Sequence, residues 1–231
     1  MRRPAMRIAI VSDIHANLAA LAAALADIGR RQADRVIVAG DLVGDGRQPA
    51  EVVALLRRLG FPAIRGNVDR KVAEAAALSG KERKERATKR KTAELVWTAG
   101  QLDRAGLEWL AGMPETLTVR VGGARLLVVH GSPLADTDSV YPSLTPRALA
   151  AKLGAARPDV LACGHSHVPF ARRIAGVTVV NAGSVGRPVD GDARGSYALV
   201  EFEAGRAPRG RIVRFSFPAG EGDAGPVSGG G

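Results

Sequence analysis

The chain has 231 residues, 46% of them hydrophobic and 24% charged, enough apolar material for one large core. Its 33 Lys and Arg against 23 Asp and Glu leave a net charge of +10, yet aromatics are only 4%, too few for the stacking platforms that bind single-stranded nucleic acid. The single cysteine, Cys163, excludes an internal disulfide and a cysteine-based zinc cluster, and no apolar run approaches the roughly 20 residues that span a bilayer. Residues 1–5 carry two arginines and a proline with no signal-peptide pattern, so a cytoplasmic protein without membrane association is expected.

Residues 7–12 (RIAIVS) are an aliphatic run followed by a polar break at 13–17, the pattern of a buried strand entering a loop. Leu18, Leu21, Leu25 and Ile28 recur at helical spacing, predicting a helix over 18–28 with Asn17 as N-cap and Gly29 as stop. A second strand is expected over 35–39, ending in Gly40-Asp41, and a second helix over 49–59 with Pro49 in its first turn. A short third strand over 63–65 runs into Gly66-Asn67. Strand and helix alternating at this spacing indicate a layered α/β core.

The middle of the chain differs. Residues 70–91 carry nine Lys or Arg and three Glu, a net +6, and 92–97 and 102–110 read as helical. The segment 70–111 is therefore expected as a helical insertion within one domain over 1–217, its basic run a solvated helix face ahead of a binding surface. From Glu115 the pattern turns to strands: a hairpin over 117–121 and 125–129 with a Gly122-Gly123 turn, then a helix over 146–153 and a strand over 160–163. A second hairpin is expected over 170–174 and 177–180, and last strands over 196–203 and 211–217. Residues 218–231 hold six Gly and two Pro in 14, which predicts a disordered tail.

Five short polar motifs follow predicted strands: Asp13-Ile14-His15; Gly40-Asp41 with Gly44-Asp45; Gly66-Asn67-Val68-Asp69; His130-Gly131; and Gly164-His165-Ser166-His167. All four histidines of the chain fall inside them. In an open sheet, loops at the carboxyl ends of strands converge on one edge, so Asp13, His15, Asp41, Asn67, His130, His165 and His167 are expected to meet there. Asp13 and His15 are two apart, as are His165 and His167, so extended chain would point both members of each pair the same way. The neighbouring glycines allow close backbone approach. Carboxylate, amide and imidazole donors suit manganese, iron or zinc. Seven donors are too many for one zinc; they suit two cations about 3.5–4 Å apart sharing a carboxylate, the clamp used for in-line displacement at phosphorus.

With these motifs in this order, spanning Asp13 to His167, the sequence resembles the calcineurin-like metallophosphoesterase superfamily, and within it the small prokaryotic phosphodiesterase branch. The resemblance implies an α/β fold of two facing mixed β-sheets flanked by helices, a four-layer αββα sandwich. It also implies a metal-dependent phosphoric ester hydrolase acting on phosphodiester or activated phosphomonoester bonds through a metal-bridging hydroxide. Carried over, Asp13, His15, Asp41 and His167 would hold one cation, and Asp41, Asn67, His130 and His165 the other. Manganese is the foremost ion, with iron, zinc, nickel or magnesium as alternatives. Asn17 would touch the substrate phosphate, and Asp69 would support the catalytic group from behind its ligands. Many phosphatases of the superfamily have His between the Asn and the acid, where this chain has Val68; the difference puts cleavage of poor leaving groups in doubt.

Several residues carry two readings. Asn17 is a helix N-cap or a phosphate contact; Asp45 is a turn residue or a support for the site. Ser184 and Arg187, in the run 181–188 (NAGSVGRP), line the site or form a tight turn, and Cys163 reads as a small buried hydrophobe. At the level of function, the rivals are a protein or nucleotide phosphatase of the same superfamily and a weakly active scaffold that keeps the fold. The expected partner is a phosphate-ester substrate of nucleotide-like kind, with nucleic acid entering only as a substrate. The sequence does not set the oligomeric state.

Overall fold

The computed structural model describes residues 6–82 and 90–218. The elements run β1 (Met6–Val11), α1 (Leu18–Arg30), β2 (Arg35–Ala39), α2 (Pro49–Leu59), β3 (Ala63–Ile64), α3 (Asn67–Ala76), α4 (Arg90–Gln101), α5 (Arg104–Gly112), β4 (Thr116–Val121), β5 (Ala124–Val129), α6 (Pro146–Leu153), β6 (Val160–Cys163), β7 (Phe170–Ile174), β8 (Val177–Asn181), β9 (Gly195–Phe202) and β10 (Arg209–Phe215). Two five-stranded mixed sheets result, ordered β10-β9-β1-β2-β3 and β4-β5-β6-β8-β7. Strands β1, β2 and β3 are parallel neighbours in the first sheet, and β5, β6 and β8 in the second.

Period-2 side-chain alternation explains how both sheets bury both faces. On β1 and β2, Ile8, Ile10, Ile37 and Ala39 face inward, where they meet Leu126, Val128, Val160 and Ala162 of the second sheet. Their neighbours Ala9, Val11, Val36 and Val38 face outward and pack with Ala20, Leu21, Ala24 and Ile28 of α1. Beyond the second sheet, Leu161, Cys163 and Val179 pack against Leu149 of α6. The layers are thus helix, sheet, sheet, helix, as the family resemblance implies. Among the described residues no helix is long and apolar enough to cross a membrane.

Several sequence expectations need correction. Gly29 does not stop α1, because Arg30 and Arg31 both bond Asp27, at 3.1 and 2.7 Å, and carry the helix on to Arg30. The third strand excludes Arg65, whose N–H turns to Pro114 O at 2.9 Å. The helical run after it begins at Asn67, three residues before the expected start. The last strand lies at Arg209–Phe215, two residues early, because its pairing with β9 begins at Arg209 opposite Glu201. Residues 83–89 of the basic run, and all of the tail expected to be disordered except Pro218, lie outside the described residues.

One buried hydrogen bond to a carboxylate joins α1 to the first sheet. The fully buried Tyr197 on β9 donates its hydroxyl to Asp27 Oδ2 at 2.8 Å, beside Arg31 Nε. Burial works to raise the Asp27 pKa, but the bonds from Arg31, Tyr197 and Arg30 prevail and hold it below the ordinary carboxylate range. Asp27→Asn is expected to cost about 1–3 kcal/mol at neutral pH, the worth of hydrogen bonds to a buried charge. A lowered pKa means the contribution is complete above the unfolded value of about 3.9 and is lost as pH falls through the folded value. Urea unfolding of both proteins across a pH series should show the stability gap closing in acid.

Candidate metal centre

The parallel strands of both sheets deliver their carboxyl ends to one edge of the sandwich, and there the predicted residues meet. Asp13 and His15 follow β1, Asp41 follows β2, His130 follows β5, and His165 and His167 follow β6; Asn67 opens α3 just after β3. Two groups form. Asp13, His15 and His167 each place a donor atom within 4.8 Å of the others, and so do Asp41, His130 and His165. Asn67 joins the second group, its Oδ1 lying 3.1 Å from His130 Nε2. The groups abut through Asp41 Oδ2, 3.3 Å from His130 Nε2 and 3.9 Å from His15 Nε2.

Extended chain does not bring them together. Asp13, His15, Asp41, His165 and His167 all have left-handed backbone, with φ between 49° and 64°. Including Ala16 and Asp45, seven of the nine described non-glycine residues with positive φ lie in these loops, a conformation L-residues adopt only when the surroundings enforce it. What enforces it is lacing between loops. Asp13 N bonds Gly40 O, Ile14 N and His15 N share Asp41 O, and Val185 N and Gly186 N reach Ser12 O and Asp13 O. One consequence is that His165 and His167 part company and serve different groups.

Two glycines bring the backbones close enough. A Cβ on Gly40, whose φ is +92°, would stand 2.7 Å from His130 Nδ1 and from Gly66 N. One on Gly164 would collide with Ser12 Oγ and Asp13 Oδ2. Asp13 Oδ2 itself accepts the His165 N–H at 2.9 Å, tying a loop of one sheet to a loop of the other.

Three of the four imidazoles have one nitrogen held by a backbone carbonyl and the other turned to the centre. His130 Nδ1 lies 2.9 Å from Ala39 O, His165 Nε2 3.1 Å from Thr137 O, and His167 Nδ1 2.7 Å from Arg187 O. A carbonyl only accepts, so the ring nitrogen facing it carries the proton and the other presents a lone pair. His15 is the exception: its Nδ1 lies 3.2 Å from Asp45 Oδ2 but makes no hydrogen bond. The inward nitrogens crowd together, His15 Nε2 and His167 Nε2 being 3.1 Å apart. Asp13 Oδ1 is buried with no hydrogen bond, although His167 Nε2 lies 3.0 Å away. Facing lone pairs beside an orphaned carboxylate oxygen are a donor set that fits divalent cations.

Asp69 is fully buried in the first turn of α3. Its Oδ1 accepts Leu42 N at 2.9 Å and Val43 N at 3.2 Å, and its Oδ2 accepts Gly66 N at 2.9 Å. One carboxylate therefore fixes the loop carrying Asp41 and the helix start carrying Asn67. Burial, followed by the charge of Asp41, pushes its pKa to about 7. Burial works to lower His130, but Asp41 holds it at about 10. Burial would raise Asp13 and Asp41; for Asp13 the neighbouring His15 and His167 imidazoles prevail, for Asp41 the charge of His130, and both end low.

The residues with two readings now separate. Asn17 Oδ1 caps α1 by accepting Ala20 N at 3.0 Å, while Nδ2 donates to Gly186 O at 3.1 Å. Ser184 donates to Asp13 O and accepts from Arg187 N, so it braces the turn. Asp45 touches His15 and lies 3.4 Å from Arg187 Nη1. Burial and the neighbouring Asp45 charge raise the pKa of Glu94 on α4, which places that helix beside the centre. Arg70 is half-buried rather than solvated, gripping Asp136 at 2.8 Å in the loop whose next carbonyl, Thr137 O, holds His165. Asn181 was missed: its Nδ2 bonds Gly164 O at 2.8 Å and Ser166 Oγ at 2.9 Å, bracing the turn that carries both histidines. A buried Asn at a strand end is visible in sequence; the carbonyls of Ala39, Thr137 and Arg187 are not.

The chain belongs to the calcineurin-like phosphoesterase superfamily, whose domain matches residues 6–205. Uncharacterized protein MJ0912 of Methanocaldococcus jannaschii is 30% identical over 209 residues, 84% of this chain and 82% of its own length. A metallophosphoesterase from Sphaerobacter thermophilus is 32% identical, with a TM-score of 0.76 over 93% of this chain and 90% of its own. Hypothetical protein PH1004 from Pyrococcus horikoshii OT3, 22% identical, shares the fold with a TM-score of 0.80 over 93% of this chain and 89% of its own.

Asp69→Ala removes the acceptor of three buried N–H groups. It is expected to lower the unfolding temperature and to weaken binding of divalent cations by about 10–100-fold, the usual effect of losing a partner behind the ligands. Calorimetric titration with manganese, run beside thermal unfolding, separates the two effects.

Proposed function

We propose that the protein hydrolyses phosphodiester or activated phosphomonoester bonds with two divalent cations. Asp13, His15 and His167 would hold one, Asn67, His130 and His165 the other, and Asp41 both. The observation that carries this reading is the pair of abutting donor groups, each with its imidazole lone pairs turned inward. Bound there, the cations, manganese foremost, would supply Lewis acidity toward the phosphoryl oxygens and an acidified water as nucleophile. The chain's own residues do the rest. Asp41 lends its charge to both halves, and Asp69 holds the Asp41 loop and Asn67 in fixed relation. Asn17 keeps one amide N–H beyond its two structural bonds, which we assign to the substrate phosphate. We place this activity in the cytoplasm, on the sequence pattern of residues 1–5.

Val68 sits in the first turn of α3, its N–H on Asp41 Oδ1 at 2.8 Å and its side chain against Gly44. It has no proton to give a departing alkoxide. General-acid help is worth about 10²–10⁴ in rate and matters most for basic leaving groups. Rates over a series of aryl and alkyl phosphodiesters are therefore expected to fall steeply as leaving-group pKa rises. In Val68→His the slope should flatten. A shallow slope in the unmodified protein would mean that another residue supplies the proton.

Asp41→Asn keeps the shape of the shared ligand and removes its charge. It should lower kcat/KM at least about a hundredfold, roughly 2.7 kcal/mol of transition-state stabilisation. Bound manganese, measured by elemental analysis after dialysis, should fall from two ions per chain to one or none. Full activity with a single ion at saturation would overturn the two-cation reading.

A further inference from the structure

We propose a second site, independent of the metal centre, that binds a small oligophosphate anion in a cleft between β7 and β10. These two strands are the edges of different sheets and lie beside each other along one side of the sandwich. Between them is a cleft of about 580 Å³ whose walls carry Arg172, Arg173, Arg206 and Arg209, with Thr178 and Gly210 among its lining residues. No acidic and no aromatic residue lines it.

The cleft has a built floor. Thr178 is buried, and its hydroxyl donates to Pro208 O at 2.7 Å, fixing the β9–β10 turn onto β8. A Cβ at Gly210 would collide with Val180 and reach Thr178 Cγ2 at 3.3 Å, so only glycine lets the β10 backbone lie this close to the other sheet. The position is remote from the metal centre. Thr178 precedes Asn181, which braces the His165–His167 turn, by three residues, about 10 Å of strand. Arg209 is six residues from Phe215 at the other end of β10, about 20 Å of strand.

Charge in the cleft is unbalanced. Arg206 and Arg209 share one carboxylate, Glu203, at 3.0 and 3.3 Å. Arg172 donates to the Pro142 carbonyl, and Arg173 has no carboxylate partner among the described residues. Four guanidiniums against one carboxylate leave +3, whereas Arg214 faces both Asp190 and Asp192. Guanidinium forks match phosphate oxygens bidentately, and the volume falls within the roughly 300–1,000 Å³ of small-molecule sites. Without an aromatic wall there is no platform for a nucleobase, so the ligand is recognised by its phosphates. Charges on edge strands also deter edge-to-edge pairing. That explains Arg172, Arg173 and Arg209, but not Arg206, which lies in the turn and closes the same hollow.

The test is calorimetric titration of the chelator-treated full chain with inorganic tripolyphosphate. One anion should bind per chain, more weakly as salt rises. Arg173→Gln with Arg209→Gln should weaken it at least about tenfold, leaving the unfolding temperature and aryl phosphodiesterase activity unchanged. The paired Lys variants, which keep charge and lose the fork, should fall between. Asp41→Asn should bind the anion like the unmodified chain. Failure of the phosphoesterase reading would leave this result standing, because neither cations nor turnover enter it. Absence of saturable binding would overturn the proposal, as would binding that survives the Gln pair or is lost with Asp41→Asn. So would a single-stranded oligonucleotide that occupies the cleft and resists displacement by tripolyphosphate, which would make it a nucleic-acid surface instead.

Discussion

Three carboxylates, Asp13, Asp41 and Asp69, are at most 2% exposed at one edge of the molecule, and the local structure is organised around keeping them there. An ionised carboxylate in a protein interior costs several kcal/mol unless its oxygens are met by charge or hydrogen bonds. Asp69 takes three backbone N–H groups, which offset only part of the cost and leave its pKa at about 7. Asp41 is met by Val68 N and by His130. Asp13 is met on one side only, by His165 N, and its other oxygen is left to the imidazoles. The loops that supply these partners adopt left-handed backbone, which costs of order 1–3 kcal/mol per residue. They hold it because the ladder of β1 and β2 continues past the strand ends, through Asp13 N to Gly40 O and Ala16 N to Leu42 O. The strained loops are in effect extensions of the sheet.

That arrangement depends on the sandwich. Facing the two sheets through Ile8, Ile10, Ile37, Leu126, Val128 and Val160 brings their parallel strands' carboxyl ends to a common edge. A single open sheet would offer a row of loops; two sheets offer loops from both sides, so a ligand set can close around a centre. The His165 N–H on Asp13 Oδ2 is where the two halves lock. The donors for both groups therefore come from both sheets, which makes the inter-sheet core part of the site's construction.

How much of this could be read from the sequence follows from the same physics. Strands buried on both faces are unbroken aliphatic runs, so β2 and β6 lie where the runs lie, and α2 and α6 begin at their prolines. The boundaries that moved were set by partners distant in sequence: Arg65 turned to Pro114, and Arg209 paired with Glu201. Asp13, His15, Asp41, Asn67, His130, His165 and His167 were legible as chemistry because scarce residue types recur in motifs at strand ends. The backbone that aims them was not legible, since an i, i+2 spacing reads as extended chain and the actual conformation is left-handed. Nor could residue letters reveal that carbonyls of Ala39, Thr137 and Arg187 select the tautomers. Backbone atoms are the same in every sequence.

Those carbonyls change what kind of object the centre is. A ligand set oriented by side chains alone could be loosened one residue at a time. Here His130 is aimed by the end of β2, His165 by a loop clamped through Arg70 and Asp136, and His167 by the turn that Ser184 braces. The elements that orient the rings are therefore those that build the layers. The buried carboxylates at the centre favour protonated imidazole, holding His130 at about 10 and raising His15 above its ordinary range. A divalent cation bound in the second group would take the lone pair of His130 Nε2 in competition with a proton, so affinity there would be coupled to pH through a residue whose other nitrogen is fixed by the sheet.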